Sequence, residues 1–114
     1  MAVSTASFRS AQFKNNESFN AFVYDSRSKV YKASPSGSSV DPFASKTNKY
    51  AESGLVELIS DAAMHFHFGS ATLASATTSN YFLPANTRLY VSIDEASKYM
   101  RAIGTGNLYV TELF

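Results

Sequence analysis

Apolar and polar residues alternate with a period of two along much of the second half of the chain. In Met64-His65-Phe66-His67-Phe68 the apolar side chains fall on one face and both imidazoles on the other. That is the pattern of a half-buried strand, not of a helix. Arg88-Leu89-Tyr90-Val91-Ser92-Ile93 repeats it, with Leu89, Val91 and Ile93 directed inward. Leu55-Val56-Glu57-Leu58-Ile59-Ser60 reads as a strand bounded by Gly54 and Asp61, and Tyr81-Phe82-Leu83 as a short one stopped by Pro84-Ala85-Asn86. Residues 98–103 and 108–114 form the last two strands, joined by the tight turn Gly104-Thr105-Gly106-Asn107. In the first half, residues 18–24 and 29–33 are β-prone and predict a hairpin around a turn at 25–28, and a short strand is expected near 7–13. Only residues 55–64 would tolerate a helix, and their β-branched content and the alternation that follows argue against one.

Short strands separated by turns predict an all-β fold, a single small antiparallel β-sandwich or barrel. Residues 1–16 are polar and small and read as an N-terminal arm; residues 17–114 form the sandwich domain, with a polar loop inserted at 34–53. Ser34-Pro35-Ser36-Gly37 and Asp41-Pro42 punctuate that loop. A stretch of this length without an element of its own is a binding loop, an arm to a neighbour, or disordered. Val40, Phe43 and Tyr50 are its apolar anchors, pinning it to its own domain or to a partner.

A length of 114 residues suits one domain, and nine Phe with seven Tyr are enough to build its core. A net charge of +1 gives no field able to hold a polyanion. The densest basic group, Arg27, Lys29, Lys32, Lys46 and Lys49, lies among Tyr24, Tyr31 and Tyr50 but is diluted by Asp25, Asp41 and Glu52. It reads as a solvated surface, so no nucleic-acid partner is expected. Cysteine is absent, which excludes disulfides, thiolate zinc sites and a Cys nucleophile. The N-terminus shows neither a basic segment nor an apolar one of signal-peptide type, so no secretory signal is predicted. Apolar runs such as Ala21-Phe22-Val23-Tyr24 fall far short of the roughly 20 residues that cross a bilayer, so a soluble protein with no membrane partner is expected.

His65 and His67 lie about 7 Å apart along one strand face and would need a third ligand, Glu57 or Asp61, to hold a metal. They read instead as a pair facing solvent or a subunit interface, a contact that responds to pH. Gly-x-Ser-x-Gly and the phosphate-loop patterns are missing, Gly104-x-Gly106 is a hairpin turn, and the adjacent Asp94 and Glu95 diverge. No enzyme activity, catalytic residue, metal or cofactor is expected.

One longer pattern adds a functional lead. Met64-His65-Phe66-His67-Phe68-Gly69, the connector Ala76-Thr77-Thr78-Ser79, and Phe82-Leu83-Pro84-Ala85-Asn86-Thr87 follow one another in that order. Leu89-Tyr90-Val91-Ser92-Ile93, Tyr99-Met100-Arg101-Ala102-Ile103 and the closing Gly106-Asn107-Leu108-Tyr109-Val110-Thr111-Glu112-Leu113 complete the series. Over these last 50 or so residues the chain resembles a family of small bacteriophage virion proteins of one β-domain each. It departs from that pattern at Asn86, where the family carries Gly; Asn also tolerates positive φ, so the turn is expected to survive.

The resemblance implies a head decoration, or cement, protein on the capsid exterior, synthesised in the host cytoplasm and bound to the major capsid protein. Related viral proteins often work as trimers, so self-association into a homotrimer is expected. The arm and loop would carry the contacts, with Phe8, Phe13, Phe43, Tyr50, His65 and His67 at the interface. The alternatives are a neck or tail accessory ring of the same fold, a carbohydrate-binding sandwich using loop Tyr and Asn, and a His65/His67 metal protein.

Overall fold

The computed structural model describes the backbone of residues 8–12 and 18–22 and, in full, residues 27–114. Its strands are β1 (Phe8–Gln12), β2 (Ser18–Phe22), β3 (Val30–Ala33), β4 (Leu55–Ser60), β5 (Met64–Gly69), β6 (Tyr81–Leu83), β7 (Leu89–Ser92), β8 (Tyr99–Gly104) and β9 (Leu108–Leu113). Among the described residues there is no helix. All pairings are antiparallel. They build a four-stranded sheet in the order β3-β9-β4-β7, a three-stranded sheet β6-β5-β8, and a two-stranded pair β1-β2. The fold is all-β.

The alternation decides which side chains meet. Val56 and Leu58 of β4 with Leu108 and Val110 of β9 come from the four-stranded sheet. Met64 and Phe66 of β5, Leu83 of β6, and Met100 and Ala102 of β8 come from the three-stranded one. They join in one buried cluster, so the two sheets are the layers of a sandwich with a shared core. Each fully buried Leu or Met in such a core contributes on the order of 2 kcal/mol by burial alone. At Gly106, in the β8–β9 turn, φ is 91°, and a Cβ there would meet Asp61 Oδ1 and Ala62 Cβ. Only glycine fits both demands. Asn86 adopts φ 57°, the left-handed turn conformation expected of it.

One expected pairing does not form. Residues 18–24 were expected to fold back on 29–33; instead β2 pairs with β1, Phe8 opposite Phe22, and β3 pairs with β9, Val30 opposite Thr111. Beside β9, Ala33 joins the core and Tyr31 packs against it. A local hairpin would have to supply that apolar cover from a segment that holds no such place in the sheet.

The polar loop is built into the sandwich. Val40 and Ala102 exchange backbone hydrogen bonds of 2.8 and 2.9 Å across the outer edge of β8, and Gly37 N donates to Gly104 O at 2.9 Å. The loop thereby occupies donors and acceptors that an edge strand would otherwise expose. Ala51 N donates to Lys98 O, and Asp41 Oδ1 accepts from Phe43 N at 2.9 Å to tighten the turn between them. Phe43 is 0% exposed and packs edge-on against Tyr31, with ring centroids 5.7 Å apart. It faces its own core and offers no surface to a partner, because a lone ring in a polar stretch gains most by leaving water altogether.

A buried ion pair closes the loop. Lys46 Nζ lies 2.8 Å from Glu112 Oε2, with side chains only 5% and 2% exposed, and 3.1 Å from Glu52 Oε1. Glu112 Oε1 accepts from Glu52 N at 2.6 Å, and Ser53 N approaches it at 3.4 Å. Burial, the largest influence on Lys46, disfavours its ammonium. The hydrogen bonds to Glu112 and Glu52 and the charge of Glu112 together outweigh it, so the pKa lies above the ordinary lysine value. Glu52 is held below the usual carboxylate range by its hydrogen bonds with Lys46 and then Asn48. Exposed Asp61 is lowered by the backbone and then the side-chain amide of Asn107. Burial raises Tyr31.

These directions fix the pH dependence of stability. Carboxyls with depressed folded pKa values, Glu52 and Asp61, contribute stability above their ordinary values and lose it as pH falls through the folded ones. Lys46, raised, contributes below the ordinary lysine value and loses it as pH climbs through its folded one; raised Tyr31 acts in the same direction. The melting temperature is expected to fall in acid below the normal carboxylate range and in alkali above the normal tyrosine and lysine values. Calorimetry across pH checks this, and Glu52→Gln should flatten the acid limb.

Candidate functional site

The alternation that buries Met64 and Phe66 turns His65 and His67 to the outer face of the three-stranded sheet. Register completes that face: His65 lies between Phe82 of β6 and Ile103 of β8, His67 lies opposite Arg101, and Gly69 opposite Tyr99. The His65 and Phe82 rings stand 5.3 Å apart. His67 Nε2 is 2.9 Å from the Ala74 carbonyl and, as the donor, ties the connector after β5 to the sheet. At the edge, Phe82 is 51% exposed and Tyr81, leaning on Phe66, is 62% exposed. None of the three strands contains a carboxylate.

Next to this face, on the β8 side, lies an open cleft of about 300 Å³. It is lined by Tyr99, Met100 and Arg101 of β8, by Asp41 and Lys49 of the loop, and by Ala71 and Leu73 of the connector after β5. Leu73 lies directly over Gly69, where an added Cβ would come 2.6 Å from its Cδ1, so the glycine lets this wall settle. Tyr99 is backed by Tyr50, centroids 5.4 Å apart, and Lys98 Nζ sits 4.2 Å from the Tyr50 ring centroid. A second cleft, about 350 Å³, opens over the Lys46–Glu52 pair, with Lys29 and Tyr31 also in its lining.

The expected interface residues scatter. His65 and His67 share the outer sheet face, Tyr50 supports the cleft through Tyr99, and Phe43 is core. Phe8 lies in β1, of which only the backbone is described, and Phe13 lies outside the described residues. Neither of the two third ligands expected for a metal at the histidine pair is placed with it. Glu57 belongs to the other sheet, 3.6 Å from Arg88, and Asp61 accepts from Asn107 in the β8–β9 turn. Among the described residues no group of three or more His, Cys, Asp or Glu is placed to bind a metal ion. Tyr81, Phe82, Tyr99 and Arg101 were not among the expected site residues. The available signal was the strand expected at 98–103: the two-residue repeat of any strand puts Tyr99, Arg101 and Ile103 on one side, and the register with β5 makes it the face of the histidines.

No protein-family model, curated protein or solved structure is detectably similar to this chain.

Proposed function

We propose that this chain is a virion assembly protein, a decoration (cement) protein that binds the outside of a bacteriophage capsid and stabilises it by burying surface against capsid subunits. The observation that carries the reading is the exposed aromatic edge Tyr81–Phe82 on a sheet whose three strands carry no carboxylate of their own. Exposed aromatic side chains on a rigid strand are the groups that concentrate binding energy in protein interfaces. The order of motifs from Met64 to Leu113, which resembles small phage virion proteins, supplies the class of partner. In this reading the protein works by adhesion and catalyses nothing, and the docking falls to the sheet face and to the adjoining cleft, which the folded loop helps to line.

The test is co-sedimentation of the purified protein with phage shells stripped of it. Binding of the unaltered chain is expected, with a copy number on the order of hundreds per particle; about a dozen would place it instead in a neck or tail ring. Phe82→Ser should weaken attachment about tenfold or more while leaving the melting temperature nearly unchanged. No binding to shells, necks or tails would overturn the reading.

A further inference from the structure

We infer that the cleft beside β8 is a receptor for an acidic stretch of a partner protein, with Arg101 and Lys49 engaging its carboxylates and Tyr99 and Leu73 holding an apolar residue next to them. The inference rests on the protein-docking reading above and adds the chemistry of what is docked.

Charge is the first argument. The ion pairs among the described residues are Lys46 with Glu52 and Glu112, Arg88 with Glu57, and Lys98 with Glu95; neither Arg101 nor Lys49 belongs to one. Both line the same cleft. Among the described residues the one carboxylate lining that cleft, Asp41, is in no ion pair with either, so the guanidinium can take a carboxylate arriving from outside through two parallel hydrogen bonds.

Backbone conformation is the second. Lys49 has φ 64°, a left-handed conformation uncommon for any residue with a long side chain. Such backbone persists where the surroundings over-determine it, and functional clefts are where it concentrates. Here Lys49 Nζ donates to the Ala44 carbonyl, which fixes the ammonium in place. An ammonium has three donors, so this bond leaves others for a ligand.

The remaining lining selects among anions. Asp41 is the one carboxylate of the cleft, and its Oδ1 is taken by Phe43 N. It repels a compact polyanion that presents charge in all directions. An extended chain can place carboxylates at Arg101 and Lys49 and turn an apolar side chain elsewhere. Leu73, lying on Gly69, and Tyr99, braced by Tyr50, give that side chain fixed walls.

The experiment is an NMR titration of the full chain with three probes: a Glu-Phe-Glu peptide capped at both ends, its Gln-Phe-Gln counterpart, and inorganic phosphate. The acidic peptide should shift the signals of Arg101, Lys49, Tyr99 and Leu73 and bind about tenfold or more tighter than the neutral one. Arg101→Gln should lose that difference and Arg101→Lys recover part of it, both at an unchanged melting temperature. Equal binding of the two peptides, shifts mapping away from the cleft, or phosphate binding as tightly as the peptide would overturn the inference. Shell attachment that survives Arg101→Gln undiminished overturns this inference alone; an unaltered chain that attaches to no particle overturns the docking reading beneath it.

Discussion

Glu112→Ala is expected to destabilise the protein by about 3–5 kcal/mol, the usual cost of removing one partner from a buried ion pair. Lys46, 5% exposed, would keep its charge with only the more exposed Glu52 to balance it. The amide of Glu52, now bound at 2.6 Å, would lose its acceptor as well. The pair itself is not thereby a large net source of stability, because both charges left water to form it. The joint change Lys46→Met with Glu112→Leu removes both charges and is expected to cost markedly less than Glu112→Ala. Urea unfolding of the two variants separates the cases. A double variant as unstable as the single one would show that the network matters for its hydrogen bonds and not for its charge balance.

Phe43→Ala is the second large effect, about 3–5 kcal/mol, from lost burial plus the cavity left among rigid neighbours. Phe43 is fully buried, stands edge-on to Tyr31, and has Lys46 Nζ 5.5 Å from its ring centroid. The collapse that would limit the loss is opposed by the hydrogen bonds holding Val40 to Ala102 and Lys46 to Glu112. Phe43→Leu refills most of the volume and should recover more than half of the loss. Since domains of this kind are stable by only ~5–15 kcal/mol in total, Phe43→Ala should show a large drop in the urea midpoint.

Both predictions concern how the loop at 34–53 is held, through Phe43 within it and through Lys46 to Glu112 of β9, and its sequence said least about its place. Lys46 read as a surface residue and nothing marked Glu112 as its partner, because hydropathy records the cost of burying a charge and not the presence of a partner across 66 positions. Phe43, alone among polar residues, fits a core anchor and an interface anchor equally well until the chain's path is known. The strands were legible throughout. Residues 64–68 and 88–93 carried the period of two, 98–103 read as a strand without it, and Pro, Gly and Asn marked their ends.

Pairing was less legible. The adjacency of 18–24 and 29–33 suggested a hairpin, whereas β3 finds its partner in β9 near the other end of the chain. Nothing local in Val30-Tyr31-Lys32-Ala33 encodes that choice; it follows from the apolar cover that the four-stranded sheet needs. The site was half legible. Alternation set His65 and His67 outward, and the same rule applied to β8 puts Arg101 and Tyr99 beside them. The cleft depends on Leu73 folding over Gly69, a contact made within a connector of small residues that carries no periodic signal.

Native-state amide hydrogen exchange tests most directly whether residues 37–53 are part of the sandwich. The amides of Val40 and Ala51, bonded to Ala102 and Lys98, should exchange as slowly as Ala102 and the core of β9, with opening free energies approaching that of global unfolding. Val40 and Ala51 amides that exchange at the rate of an unfolded chain while β9 stays protected would contradict it, and would return the loop to the role of a free contact arm.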